Sequence, residues 1–158
     1  MSPSQVLLLA FLIGVAAGLR SLTAPAAVAW AAHLSWLNLN GTPLSFMGST
    51  AAVVIFTLLA FGELVADKLP STPSRMAPPG LIARILLGGL SGASLSAAGG
   101  QSIAIGAILG ALGGIAGAFA GYRVRTRLAR ALPVPAVVIA LLEDAVAIGG
   151  SLFLVSRF

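Results

Sequence analysis

The sequence has no cysteine, one histidine and only four acidic residues in 158. The missing cysteine excludes disulfides, thiol catalysis and Cys-ligated metals, and it leaves the redox compartment unreadable. The single histidine, His33, cannot build a His cluster for a metal and reads as an interface residue. Charge of either sign is scarce, at 8% of residues, against roughly a quarter in a soluble domain. No nucleotide loop, His-Glu metal motif or Ser-His-Asp set is visible. An intramembrane hydrolase or lipid transferase would need more polar residues than these. An enzyme is therefore not expected, and no cofactor is called for.

What is present is apolar. Hydrophobic residues make up 58% of the chain, and the mean hydropathy is +1.05. A soluble globular enzyme, a disordered tail and a coiled coil are excluded, and a chain solvated by lipid remains. The net charge is +5. In a soluble protein that excess would suggest nucleic acid. Here most basic residues sit at membrane edges, so nucleic acid is not an expected partner.

Five apolar segments stand out, at about 5–19, 46–67, 80–98, 102–122 and 134–156. Most approach the roughly 20 residues that a helix needs to cross the hydrocarbon. The first is short, so Arg20 is expected inside the outer part of the membrane. Residues 21–37 are also apolar; Pro25 can open a helix there, and Trp30 and Trp36 are typical of an interface. This stretch reads as a half-helix, re-entrant or lying at the interface. The alternative is one kinked helix over 5–36, which would flip everything downstream. Asn38, Asn40, Gly41 and Pro43 predict a turn. Residues 70–80, with four prolines, read as irregular, and Arg123–Arg130 as a basic turn closed by Pro133 and Pro135.

The expected fold is all-α: one polytopic integral membrane domain over 1–158, with about five transmembrane helices plus a half-helix. With the N-terminus in the cytoplasm, that side receives Lys68, Arg75, Arg84, Arg123, Arg125, Arg127 and Arg130. The far side receives only Arg20 and Arg157, a positive-inside bias. A multi-pass protein of the bacterial inner membrane, N-terminus cytoplasmic and C-terminus outside, follows. No Lys or Arg precedes residue 20, which argues against a cleaved signal peptide. Gly14-Val-Ala-Ala-Gly18-Leu-Arg20 resembles Gly117-Ala-Phe-Ala-Gly121-Tyr-Arg123, and each is followed by Pro and then Ala/Val. One reading is an inverted repeat with halves 1–78 and 79–158, in which helices one and four run oppositely. The other is that Ala/Gly-rich sequence matches itself cheaply.

Glu143 and Asp144 lie about ten residues into the fifth segment, close to the midplane. Each such charge costs about 2.5–3.5 kcal/mol on insertion scales. Ala136, Ala140, Ala147 and Gly150 share their stripe, so the acids are expected to face the protein interior. They read either as an ion, proton or polar-solute site or as a structural ion pair. Glu63 and Asp67 form an i,i+4 pair beside Lys68, where snorkelling to water is the competing explanation. Arg20 cannot shed its charge and needs an anion. Glu143 or Asp144 matches it by depth, and Glu63 is expected to pair with Arg123. A lipid phosphate or transported anion is the alternative for Arg20. Gly106, Gly110, Gly114, Gly117 and Gly121 form a glycine zipper, echoed by Gly14 and Gly18 and by Gly88, Gly89 and Gly92. Such a zipper specifies tight packing, within one chain or between two. Ser91, Ser94 and Ser96 either line a polar path or bond to their own helix.

At Gly18-Leu-Arg20 and Gly62-Glu63-Leu-Val-Ala-Asp67-Lys68-Leu-Pro70 the chain resembles a family of small bacterial integral membrane proteins, domain-of-unknown-function family 4126. The resemblance implies a membrane location and no reaction or substrate. From the residues, the first functional reading is a homodimeric transporter or channel for a small ion or polar solute. Its pathway would use Glu143, Asp144, Arg20, Glu63 and Asp67, with Arg123 and Lys68 as charge partners. The second is a non-transporting scaffold or assembly factor. The third is a membrane-lipid protein that holds headgroups through Arg20 and Arg123–Arg130.

Overall fold

The computed structural model describes residues 1–67 and 76–158. Helix α1 is Pro3–Leu19 and opens on a capping box: Ser2 accepts from the Gln5 amide, and Gln5 accepts from the Ser2 amide. Arg20 ends it with an extended backbone (φ −138°, ψ 111°). Helix α2, Thr23–His33, begins three residues later. Pro25 explains the break. A continuous helix would press its ring against the Ser21 carbonyl and lose the bond to it. The single kinked helix over 5–36 is thereby excluded.

Nearly every residue of α2 from Thr23 to Ala31 is buried, so the half-helix packs inside the bundle and does not lie on the membrane surface. Turns through residues 34–44, with Gly41 at φ 75°, lead to a one-turn 3-10 helix, Ser45–Gly48. Helix α3, Thr50–Ala66, is capped by Ser49. It runs back along α2, since Trp30 Nε1 donates to Thr57 and the Ser21 amide donates to Glu63.

Helix α4 is Pro78–Ala98, with prolines in its first turn. Their fixed φ and missing N–H suit that position. Pro78, Pro79 and Gly80 are thus helical, contrary to the expected irregular loop, whose residues 70–75 lie outside those described. Helix α5 is Ile103–Ala131, 29 residues or about 43 Å, and α6 is Ala136–Val155. The expected basic turn over Arg123–Arg130 is two more turns of α5. Charge does not end a helix that has left the lipid; Pro133 and Pro135 do.

Helices α4, α5 and α6 are long and apolar enough to cross a membrane, and α1 and α3 are apolar but shorter. All-helical and hydrophobic, the chain is a membrane protein. Leu58, Phe61, Val65, Leu86, Ile108, Leu142, Val146 and Phe153 stand exposed on its outside, as lipid-facing residues should.

Glycine sets the packing of α1, α4 and α5. A Cβ on Gly14 would strike the backbone of Gly110, and one on Gly18 the backbones of Gly114, Gly117 and Ala118. Numbers rise together along this contact, so α1 and α5 run parallel. On α4, Gly88 meets Gly110 and Gly92 meets Gly106, so α4 opposes α5. Gly92 also approaches the Ala10 carbonyl, and Gly99 meets Val6, so α4 opposes α1. The expectation that helices one and four (here α1 and α5) run oppositely is corrected. The α2–α3 hairpin reverses the chain twice, so the motif match of Gly14–Arg20 with Gly117–Arg123 relates two parallel helices and not an inverted pair. Each proposed half still holds three helices, with α1 opposed to α4. The linker between α5 and α6 is four residues, and Arg125 lies beside Glu143, so α6 opposes α5. The starts of α1 and α5 and the ends of α4 and α6 therefore share one end of the bundle. Arg20, the end of α3, the start of α4 and the arginine-rich end of α5 share the other.

Candidate functional site

The α1–α2 break gathers charge. Arg20 is fully buried. Its Nη1 donates at 2.5 Å to Oδ2 of Asp67, the residue that ends α3, and its Nη2 donates to Asp144 Oδ1 of α6. One guanidinium thus joins the ends of α1 and α3 to the side of α6, in the planar, two-armed geometry that suits arginine. Its Nε has no hydrogen-bond partner among the described residues.

Glu63 does something else. Its carboxylate accepts from the Ser21 amide at 2.9 Å, the Ser21 hydroxyl at 2.6 Å and the Leu22 amide at 2.9 Å. It therefore caps α2, which has no local side-chain cap, and places negative charge at the positive end of that helix. The expected pairing of Glu63 with Arg123 is corrected. Arg123 is exposed on α5 and makes no ion pair among the described residues. Lys68, the other expected partner, lies outside the described residues.

Arg84 is a site residue that sequence reasoning counted only as a cytoplasmic charge. It is buried in α4; its Nε donates to the Gly18 carbonyl at 3.0 Å and its Nη1 to the Gly80 carbonyl at 2.9 Å. The Gly18 carbonyl is one of the four that α1 leaves unsatisfied where it stops. Arg84 and Glu63 thus cap the two helix ends that the break creates. An arginine within an apolar 21-residue helix was the available signal.

Glu143 and Asp144 separate. Asp144 lies on a buried stripe with Ala140, Ala147 and Ser151 and turns to Arg20. Ala136 is exposed and Gly150 only half-buried, so the small-residue stripe is narrower than expected. Glu143 turns toward α5, with Oε2 at 3.8 Å from Arg125 Nη1. Asp144 sits level with Arg20, at the end of α1, and near the middle of α6. All four acidic side chains gather around this end. No group of three or more His, Asp or Glu residues suited to a metal occurs among the described residues.

Ser91 and Ser94 donate to the Leu87 and Leu90 carbonyls of their own helix, at 2.8 and 2.9 Å. Ser96 and Ser151 are buried, and their hydroxyls lack partners among the described residues. His33 Nδ1 lies 3.0 Å from the Gly48 carbonyl, at an exposed turn.

A family model described as domain of unknown function (DUF4126) matches residues 7–156, and the chain belongs to that family. No curated protein matches it, and neither does any solved structure.

Proposed function

We propose that this DUF4126 member moves a small cation, a proton or another small polar solute across the membrane, with the Arg20–Asp67–Asp144 cluster as the site that the moving species engages. The supporting observation is the break between α1 and α2, a discontinuous helix inside the bundle whose junction holds a buried guanidinium between two carboxylates. Broken helices recur where membrane proteins bind ions, and here the break brings charged side chains inside the bundle. Charge is expensive there. A cation or proton that reaches Asp67 or Asp144 competes with Arg20 for it and loosens the tie between α1, α3 and α6. No covalent chemistry is needed, and we assign none. One bundle offers a short path, so we take the working unit to be a homodimer.

Orientation follows from the arginines. Among the described residues, Arg20, Arg84, Arg123, Arg125, Arg127 and Arg130 share one end, and Arg157 alone marks the other. We assign the arginine-rich end to the cytoplasm of a bacterial cell. Met1 and Phe158 then both face outside, which reverses the N-terminal side inferred from five crossings. Reporters fused at either end should both be active outside; cytoplasmic activity at the N-terminus would overturn this orientation.

Purified protein in liposomes under an imposed pH or cation gradient should carry a flux. Arg20→Gln combined with Asp67→Asn and Asp144→Asn, which removes the buried charges together, should abolish it while the protein remains folded and monodisperse. A normal flux in that variant contradicts the site. No flux from wild type across a broad cation panel favours a second reading, a non-transporting scaffold. The observation behind that reading is that both arms of Arg20 are already held by carboxylates.

A further inference from the structure

A second feature lies at the opposite end of the bundle from Arg20, where residues 34–49 carry the chain from α2 to α3. Helices in bundles are joined by roughly 2–8 residues, so this connection is far longer than the reversal needs. It is not slack. The Ala31 carbonyl accepts from the Trp36 and Leu37 amides at 2.8 and 3.1 Å. Asn38 Oδ1 accepts from the Asn40 amide, and Thr42 Oγ1 donates to the Leu39 carbonyl and accepts from the Leu44 amide. Leu37, Leu39 and Met47 are buried and join the core with Leu154 and Val155 of α6. Ser35 holds φ at 62°, a left-handed conformation that persists only where the surroundings demand it.

This fixed turn borders a half-open cavity of about 470 Å³, within the roughly 300–1,000 Å³ of small-molecule sites. Its lining sets it apart. The grooves among α1, α5 and α6 and among α2, α3 and α6 have almost wholly apolar walls, as surfaces against lipid should. Here most of the wall is polar, and Ser35, Asn38, Asn40 and Ser45 are among the residues that line it. No Asp, Glu, Lys or Arg does. The side chains of Ser35, Asn40 and Ser45 make no hydrogen bond among the described residues. The cavity therefore offers hydroxyl and carboxamide groups that donate and accept alike. A metal cation would find no carboxylate there, and an anion no guanidinium or ammonium. A ligand dense in hydroxyl groups matches, since each of them also donates and accepts. The turn is already in place, so binding need not order it.

We propose that this cavity binds a neutral sugar, free or as the headgroup of a glycolipid, through Ser35, Asn38, Asn40 and Ser45. Trp36 and Phe46 stand exposed in the same turn and mark the membrane–water interface, a level that both sources of the sugar reach. The site does not depend on Arg20 or on transport.

Tryptophan fluorescence tests this. The chain has two tryptophans, so Trp30→Phe leaves Trp36, next to Ser35 in the turn, as the sole reporter. That protein in phosphatidylcholine liposomes would be titrated with glucose, with maltose, and with rising fractions of a monoglucosyl diacylglycerol. A saturable Trp36 response to a free sugar assigns a soluble ligand, and a response to the glycolipid alone assigns a headgroup; both support the proposal. Diacylglycerol without the sugar should give none. Asn40→Ala, whose side chain holds nothing else, should weaken binding about fivefold for each hydrogen bond lost. Ser45→Phe, from an exposed position in the lining, should fill the cavity and abolish the response. No saturable response to either form of sugar would overturn the proposal, as would a response that survives both variants. An equal response to sodium chloride, sodium phosphate or plain diacylglycerol would overturn it as well, since the hydroxyl groups would then not be what is recognised.

Discussion

The molecule is held together in two different ways. Helices α1, α4 and α5 touch backbone to backbone through Gly14, Gly18, Gly88, Gly92, Gly110, Gly114 and Gly117. The α2–α3 hairpin and α6 pack on that core through apolar side chains such as Ile13, Val28, Leu95 and Val155, and they are tied to it by charge through Asp67 and Asp144. Lipid gives no hydrophobic drive between helices, so close packing and polar contacts must do the joining. The glycine contacts leave no room to slide. The charged contacts can be exchanged for others, by a proton, an ion or water. Any motion that accompanies function therefore belongs to the charge-held sector, moving against a fixed glycine-held one.

The largest expected effect breaks the fixed sector. Gly110→Leu places a side chain into the α4 backbone at Gly88 and Gly92, beyond ordinary overpacking of about 1–3 kcal/mol, and should prevent folding. Gel filtration in detergent should show aggregate in place of a monodisperse species. Next comes Arg20→Gln, which leaves Asp67 and Asp144 in the bundle without their shared guanidinium. Loss of one partner from a buried pair costs about 3–5 kcal/mol. Adding Asp144→Asn should restore part of the melting temperature. If the double variant recovers nothing, the bridge does not bind the sectors together. Glu63→Gln is smaller. An amide oxygen still accepts at the α2 start but without charge, for a loss of about 1–2 kcal/mol in chemical denaturation. The smallest is the control. Gly149 has nothing within 4 Å of a built Cβ, so Gly149→Ala should be neutral or stabilise by up to about 1 kcal/mol.

The sequence was most legible where composition or a single stiff residue decides structure. Pro25 marks the break, and the low charge and apolar segments mark an all-helical membrane protein. It was least legible where neighbours decide. Arg123–Arg130 looks like a turn only if charge is assumed to stop at the membrane; α5 simply continues past it. Depth alone could offer Arg20 an acid on α6. It could not reveal that the hairpin folds α3 back and delivers Asp67 to the same guanidinium. The same hairpin makes α1 and α5 parallel, and with it the side assigned to Met1 changes. Glu63 looked like an ion-pair acid, and capping the amides of a helix that begins 41 residues earlier is a tertiary fact with no local trace.

The sectors can be measured against each other directly. The chain has no cysteine, so spin labels can be placed at will on the exposed positions Leu58 of α3, Leu86 of α4 and Ile108 of α5. Pulsed electron resonance in lipid nanodiscs would compare the 58–86 and 86–108 distances at neutral pH, at low pH and in the Asp67→Asn, Asp144→Asn variant. The account predicts that the 58–86 distance shifts or broadens on acidification and in the variant, while 86–108 stays fixed. A 58–86 distance unchanged under all three conditions would contradict it.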